Sequence, residues 1–472
     1  MAKKYDLIII GAGPGGYTSA FKAAAFGMKV AVIEKEKIGG VCLNKGCIPT
    51  KALLYASDVF AMLQKCDDIG VSTDFISFDF PKMQKYKKRV VGDYKKFLQD
   101  QFDTLGIDVI KGTATLRRNR TVEVNSAEGK DYYEADYVIL ATGAKPIHPD
   151  IPGINLPGVV TSGRLLAAAN WNFDRLTIVG GGVIGVEFAT IFNALCAKVT
   201  IVERDDHLLG PMDHEVSEHL ERTLREKGIN VYCNANLQKI TSEDGLTCYV
   251  EHEGETLRIK SSQVLTAVGR TPNIENLLGD DVHLDMEHGR ISVNDDFMTS
   301  EKNVYAIGDM IAHTQLAHVA AAQGTFVVEK ISGRAPSIKL EVVPNGMFVS
   351  LPIVPNCIYT QPEIATVGIS EETAKKMNMK VRCGRYSMGK NGKSIITKEE
   401  DGFIRLIFEA YSNTIVGAQM VCARATDMIG EMATAIANGL TSDQLMLAMR
   451  AHPTYSEGIT VAIEDAMASK IL

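Results

Sequence analysis

The feature that most constrains this chain is a βαβ phosphate-binding pattern written twice. Tyr5 to Ile10 is a short β-rich run that stops at Gly11-Ala-Gly13-Pro-Gly15-Gly16. A small-residue helical stretch follows from Tyr17 to Phe26, and a second apolar strand, Lys29 to Ile33, ends in Glu34. The pattern returns at Leu176 to Val179, Gly180-Gly-Gly182-Val-Ile-Gly185, a helix through Ala194, a strand from Lys198 to Val202, and Glu203. First glycine and acid stand 23 residues apart in both copies. In such a unit the first glycine makes the tight turn, the second admits a pyrophosphate to the backbone, and the third lets helix and strand pack closely. The acid binds a ribose hydroxyl. Two copies imply two dinucleotides, and a flavin with a nicotinamide is the pair expected.

Other strands end in small-residue turns, where an α/β sheet binds its ligand. Tyr137 to Leu140 runs into Ala141-Thr142-Gly143, Gln263 to Val268 into Gly269-Arg270, and Asn303 to Ile307 into Gly308-Asp309, which sets a carboxylate beside a glycine. Pro352 and Pro355 mark a boundary. Beyond it, strands such as Phe403 to Phe408 and a helix around Thr426 to Asn438 read as a separate α+β domain. The length of 472 residues gives room for about three domains.

Composition removes several classes of function. Apolar residues make up 46% and charged residues 23%, as in globular proteins with an ample core, and the net charge of −7 offers no field for a phosphate backbone, so nucleic acid is not an expected partner. The longest uncharged stretch, Val342 to Pro362, carries four prolines, so no membrane span is expected. Asp6 and Gly11 leave only Leu7 to Ile10 as an apolar run near the start, too short for a secretory leader. Nine cysteines in no even framework point to reduced thiols and a cytoplasmic setting.

One pair of cysteines needs an explanation. Cys42 and Cys47 lie in Gly39-Gly-Val-Cys42-Leu-Asn-Lys-Gly-Cys47-Ile-Pro-Thr-Lys51. On a regular helix they would be turned about 140° apart and separated by about 8 Å at Cα, whereas a disulfide tolerates less than about 7 Å. Bonding requires an irregular turn, which Gly46 and Pro49 permit, and the resulting bond should reduce easily. Zinc would want further Cys or His pairs at ligand spacing, which are missing, so no metal is expected. The other seven cysteines stand alone and read as buried small hydrophobes. Near the C-terminus, His452-Pro-Thr-Tyr-Ser-Glu457 supplies a base able to deprotonate a thiol and an acid able to orient it.

The segment Cys42 to Lys51, both fingerprints, the Ala141-Thr-Gly143 and Gly308-Asp309 turns and the His452-Pro ending occur in one order over nearly the whole chain. In that combination the sequence resembles the pyridine nucleotide-disulfide oxidoreductases, and the run from Cys42 to Leu54 is most similar to the branch that oxidises protein-bound dihydrolipoamide with NAD+. The resemblance implies an α/β protein in four parts. These are an FAD domain (1–148), an NAD domain (149–271), a central domain completing the FAD site (272–346) and an α+β interface domain (347–472) that forms a homodimer.

The resemblance also implies roles. Cys47 would lie against the flavin and Cys42 would exchange with substrate, with His452 and Glu457 of the other subunit as base and orienter. Lys51 and Glu187 match a pair at the flavin edge, and Asp309 matches the residue that holds the ribitol chain. Gly11, Gly13, Gly16, Glu34, Thr142, Gly143 and Ala317 would serve FAD. Gly180, Gly182, Gly185, Glu203 and Gly269 would serve NAD. The implied partners are lipoyl domains of E2 acyltransferases of 2-oxoacid dehydrogenase complexes, or the H-protein of glycine cleavage. The sequence departs from the family at Val319 and Gln323, where Lys and an acid are usual, at Lys45, and at Tyr455. A glutathione-reductase-like member would want arginines for its charged substrate, and a mercuric-reductase-like member a C-terminal cysteine pair, which Met467 to Leu472 lacks. A non-catalytic flavin- or NAD-binding protein would have no use for the thiols and His452.

Overall fold

The computed structural model describes residues 3–170, 174–243, 245–311, 314–337 and 353–472. The expected boundary at 346/347 and Pro352 lie outside them. The first unit is built on a sheet in the order Asp108–Lys111, Val30–Glu34, Lys3–Ile10, Gly129–Leu140, its neighbours parallel. Leu7, Ile8 and Ile9 are fully buried, so both faces of the central strand are covered, as a parallel sheet requires. The helix Pro14–Ala25 can lie close because the residues it buries are small: Gly15, Gly16, Ser19, Ala20 and Ala23. Strand Val304–Ala306, from the region expected as central, pairs in parallel with Gly129–Leu140 and so belongs to this sheet.

The second unit repeats the plan with five parallel strands in the order Asn230–Tyr232, Lys198–Val202, Arg175–Val179, Gln263–Thr266, Val159–Thr161, and the helix Val183–Ala194 after its glycine turn. A small antiparallel ladder, Ala144–Pro146 with Arg270–Pro272, ties the two units together beside their ligand-facing ends. The last unit is a five-stranded antiparallel sheet, Asn356–Ile358, Glu363–Gly368, Ile415–Cys422, Phe403–Glu409, Val381–Ser387. Helices Ala425–Ala437 and Glu457–Ala468 cover it with Ile429, Met432, Ile459 and Ile463.

The helix that carries the second cysteine, Cys47–Leu63, joins all three. Its Leu53, Leu54 and Phe60 share one apolar cluster with Ile178, Val186 and Phe188 of the second unit and with Ile358, Phe403 and Val421 of the last sheet. Burying side chains of this size contributes about 1.5–3 kcal/mol each, so the thiol helix is fixed by packing and not by its own propensity.

Candidate active site

The two glycine turns are built alike. A Cβ on Gly11 would stand 2.4 Å from the Ala141 carbonyl oxygen, and one on Gly180 2.5 Å from that of Ala267. On Gly16 it would stand 1.9 Å from the Gly11 oxygen, and on Gly185 2.0 Å from the Gly180 oxygen. Gly13 and Gly182 have nothing within 4 Å. The first and third glycines therefore close the turn, and the middle one leaves open space. Gly16 and Gly185 do not line the cleft. A side chain at either would meet the turn's own carbonyl, so these glycines let helix and strand pack closely.

Each turn leads into a helix whose N-terminus has no side-chain cap, leaving N–H groups directed at the cleft. The two acids are held identically. Glu34 accepts hydrogen bonds from Ala12 N at 2.9 Å and Glu36 N at 2.8 Å, and Glu203 accepts from Gly181 N and from Asp205 N at 2.8 Å. An uncapped helix, an open glycine and a fixed carboxylate are what a dinucleotide's phosphates and ribose require, and both turns provide all three.

A continuous cleft of about 1970 Å³ runs from Gly11, Gly13 and Glu34 past Cys42, Cys47 and Lys51 to Gly180, Gly182 and Glu203. Thr142, Gly143, Gly269, Asp309, Ala317 and Glu187 also line it. Thr142 donates to the Asn273 carbonyl at 2.6 Å, and Asn273 N returns a bond to the Gly143 oxygen at 2.9 Å, so the first sheet's turn is tied to the connecting ladder. Gly308 takes φ +75°, and its N–H donates at 2.7 Å to the side-chain oxygen of the buried Gln323. Burial raises the Asp309 carboxyl above its ordinary range, opposed by the charges of Arg270 and Arg290.

The cysteine segment has the irregular turn its spacing demands. Helix Gly40–Lys45 stops at Gly46, whose φ −145° and ψ −113° lie outside the helical region, and Cys47 starts the next helix. Pro49 fits in that helix's first turn, where its missing N–H costs nothing. The break brings the two thiols into a mutual hydrogen bond. That bond, with burial, pushes Cys42 above the usual thiol range. Cys47 is held below it by the same bond and, against its own burial, by the charge of Lys51.

Lys51 Nζ lies 2.7 Å and 2.9 Å from the two oxygens of Glu187. It stands 4.4 Å over the Tyr359 ring, whose backbone N–H also donates to Glu187 at 3.2 Å. His452 is elsewhere. Its Nδ1 is 2.7 Å from Glu457 Oε1 and Glu457 Oε2 accepts from Thr454 N, but the imidazole is 79% exposed and does not line the cleft of its own chain. Those two hydrogen bonds, that from Thr454 first, hold the Glu457 carboxyl below its ordinary range.

Sequence reading missed Asn273, Tyr359 and Gln323. Only Gln323 carried a signal, as a departure. The expectation for the seven lone cysteines needs correction: Cys66, Cys248 and Cys422 are buried, but Cys196 is exposed and Cys357 lines the cleft. Of the other departures, Lys45 pairs with Glu36, and Tyr455 bonds to Glu399 and, at 2.7 Å, to Thr397. Among the described residues no helix is long and apolar enough to cross a membrane.

Two dinucleotide turns facing one cleft, with a thiol pair between them, define a flavin- and nicotinamide-dependent disulfide oxidoreductase. The chain belongs to the pyridine nucleotide-disulphide oxidoreductase family, whose profile matches residues 5–324 and whose dimerisation domain matches residues 354–463. FAD and NAD are the cofactors of that family, and the dimerisation domain supports a homodimer. The chain is 36% identical to the dihydrolipoyl dehydrogenase of Bacillus subtilis (strain 168), with 97% of each chain covered. It is also 36% identical to that of Chlorobaculum parvum, over 99% of this chain and 98% of the relative. Among solved structures it is similar to LpdA from Mycobacterium tuberculosis (TM-score 0.87, 25% identity, 98% and 99% covered). A second is the HOCl-induced flavoprotein disulfide reductase RclA from Escherichia coli (TM-score 0.84, 26% identity, 98% and 99% covered).

Proposed function

We propose that the chain oxidises a dihydrolipoyl group carried on a partner protein to its cyclic disulfide and passes the two electrons to NAD+. The observation that carries this reading is the pair of thiols on a broken helix between two dinucleotide turns, one thiol raised and the other lowered in acidity range. Relatives named dihydrolipoyl dehydrogenase, similar over almost the whole length, support the substrate.

In the oxidised state Cys42 and Cys47 form a disulfide. A dihydrolipoyl thiolate attacks Cys42 Sγ, the S–S bond breaks, and its electron pair goes to Cys47, the sulfur held as thiolate by its neighbours. The second substrate thiolate then attacks the substrate sulfur of the mixed disulfide, closing the lipoyl ring and releasing Cys42, which takes up one proton. The protons leave the substrate through the partner subunit's His452, oriented by the partner's Glu457. Bound FAD supplies the two-electron path from the dithiol to the nicotinamide. Lys51, fixed by Glu187, keeps a positive charge beside Cys47 throughout.

In this reading Gly11, Gly13, Glu34, Thr142, Gly143, Asp309 and Ala317 hold FAD, and Gly180, Gly182, Glu203 and Gly269 hold NAD. The FAD, NAD, central and interface domains span 1–148, 149–271, 272–346 and 347–472. The partners are lipoyl domains of E2 acyltransferases or the H-protein of glycine cleavage, and the setting is the cytoplasm. The test is a substrate panel on the purified flavoprotein: NAD+ reduction with free dihydrolipoamide against oxidised glutathione or Hg2+ with NADPH. Turnover of either latter pair without dihydrolipoamide oxidation would overturn the reading.

A further inference from the structure

The loop after Glu203 carries ligating side chains that the redox chemistry does not use. Asp206, His207 and His214 each offer one oxygen or nitrogen, and these atoms lie within 4.8 Å of one another. The two imidazole rings are 4.3 Å apart between centroids and inclined by 38°. His207 Nδ1 is 2.5 Å from Asp206 Oδ1.

His207 presents Nδ1 to Asp206, and its other ring nitrogen, Nε2, is shut off from solvent and has no hydrogen-bond partner. What suits two imidazole nitrogens and one carboxylate oxygen brought this close together is a cation.

The donor set selects its class. Two imidazoles and a carboxylate are ligands for zinc and its neighbours in the first transition row, whereas magnesium and calcium take oxygen cages. Three protein donors leave a position for water. Bonds of about 2.0–2.2 Å would open the His207–Asp206 approach by less than about 1 Å and draw in His214. His214 is exposed and is the first residue of helix His214–Glu226.

We infer that Asp206, His207 and His214 form a binding site for a divalent ion of the zinc class, separate from the thiols. The site lies on the span whose Glu203, Arg204, Asp205 and Gly210 line the second dinucleotide cleft, and Leu209 N ties the same span to the Gly181 carbonyl at 3.0 Å. A bound ion would fasten that span to the helix that follows it. The Asp-His-x6-His spacing matches no familiar short metal motif, which is why the sequence did not announce it.

The test uses the oxidised, FAD-loaded dimer, stripped with chelator and then titrated with Zn2+ or Co2+. One ion per subunit should be retained, and the Co2+ form should show ligand-field bands without thiolate-to-cobalt charge transfer. His207→Gln and His214→Gln should each weaken Zn2+ binding by at least about tenfold, and Asp206→Asn by a similar factor. Retention of no ion by the wild type, thiolate charge transfer in the Co2+ form, or unchanged Zn2+ affinity in both histidine variants would each overturn the site.

Discussion

Lys51 Nζ and Glu187 Oε1 are 2.7 Å apart in space and 136 residues apart in the chain. Glu187 is only 5% exposed and Lys51 about a third, so the carboxylate depends on the ammonium far more than the reverse. Removing one partner of a buried pair leaves the other charge uncompensated, so Lys51→Met should cost on the order of 3 kcal/mol. Glu187→Gln should cost less, because Lys51 can reach water. Urea unfolding of the two variants checks the order; equal costs would mean that the pair is more solvated than its burial indicates.

The asymmetry of the thiols fixes a spectroscopic outcome. If Cys47 is the thiolate beside the flavin, two-electron reduction should give a long-wavelength thiolate-to-flavin band that survives Cys42→Ser and is absent in Cys47→Ser. Because Cys47 is lowered, the band should persist below the ordinary thiol range and fade as pH falls through the shifted value. Lys51→Met removes one cause of the lowering, so in that variant the band should fade at a higher pH.

Cofactor choice rests on Glu203, whose carboxylate is pinned beside the second turn by the N–H groups of Gly181 and Asp205. A carboxylate there accepts ribose hydroxyls and repels a 2′-phosphate. Arg204 is 81% exposed and leans toward Asp205 at 3.6 Å, so it does little to offset the repulsion. NAD+ should be preferred over NADP+ by at least about tenfold in kcat/KM, or about 1.4 kcal/mol. Steady-state comparison of the two cofactors decides it, and equal use would show that Glu203 makes no ribose contact.

The exposure of His452 outside its own cleft makes the two-chain site testable. His452→Gln should lower dihydrolipoamide oxidation by at least about a hundredfold while FAD and NAD binding stay nearly intact, and Glu457→Gln should lower it less. In mixed dimers of His452→Gln with Cys42→Ser subunits, one site carries both lesions and the other neither. Activity should return on subunit exchange. Confirmed exchange without activity would place base and disulfide in one chain.

Gln323 offers a smaller test. Truncating it to Ala leaves the Gly308 N–H buried without its acceptor, a loss of about 1–3 kcal/mol. The Gly308-Asp309 turn should loosen and FAD dissociate faster, and Gln323→Glu, which keeps an acceptor oxygen, should recover much of the retention. Flavin release followed by fluorescence measures both.

Much of the site was legible in the sequence because its parts are local. Gly11 and Gly180 are demanded by turns made within a few residues, and the Cys42-to-Cys47 spacing already required the broken helix at Gly46. What could not be read is long-range. The Gln323 side chain meets Gly308 only because two segments fold beside the first sheet. Tyr359 comes under Lys51 because the last sheet packs on the thiol helix.

The apolar cluster around Leu53, Leu54 and Phe60 draws on the second dinucleotide unit and on the last sheet. It therefore bears on how the protein comes apart. Amides of the Cys47–Leu63 helix should not exchange by a local opening confined to the first unit, since exposing them means breaking packing in the other two as well. The thiol helix is thus the seam of one cooperative block. A lesion in the second unit's core, at Val186 or Phe188, should lower the protection of backbone amides next to Cys47 although it touches neither sulfur.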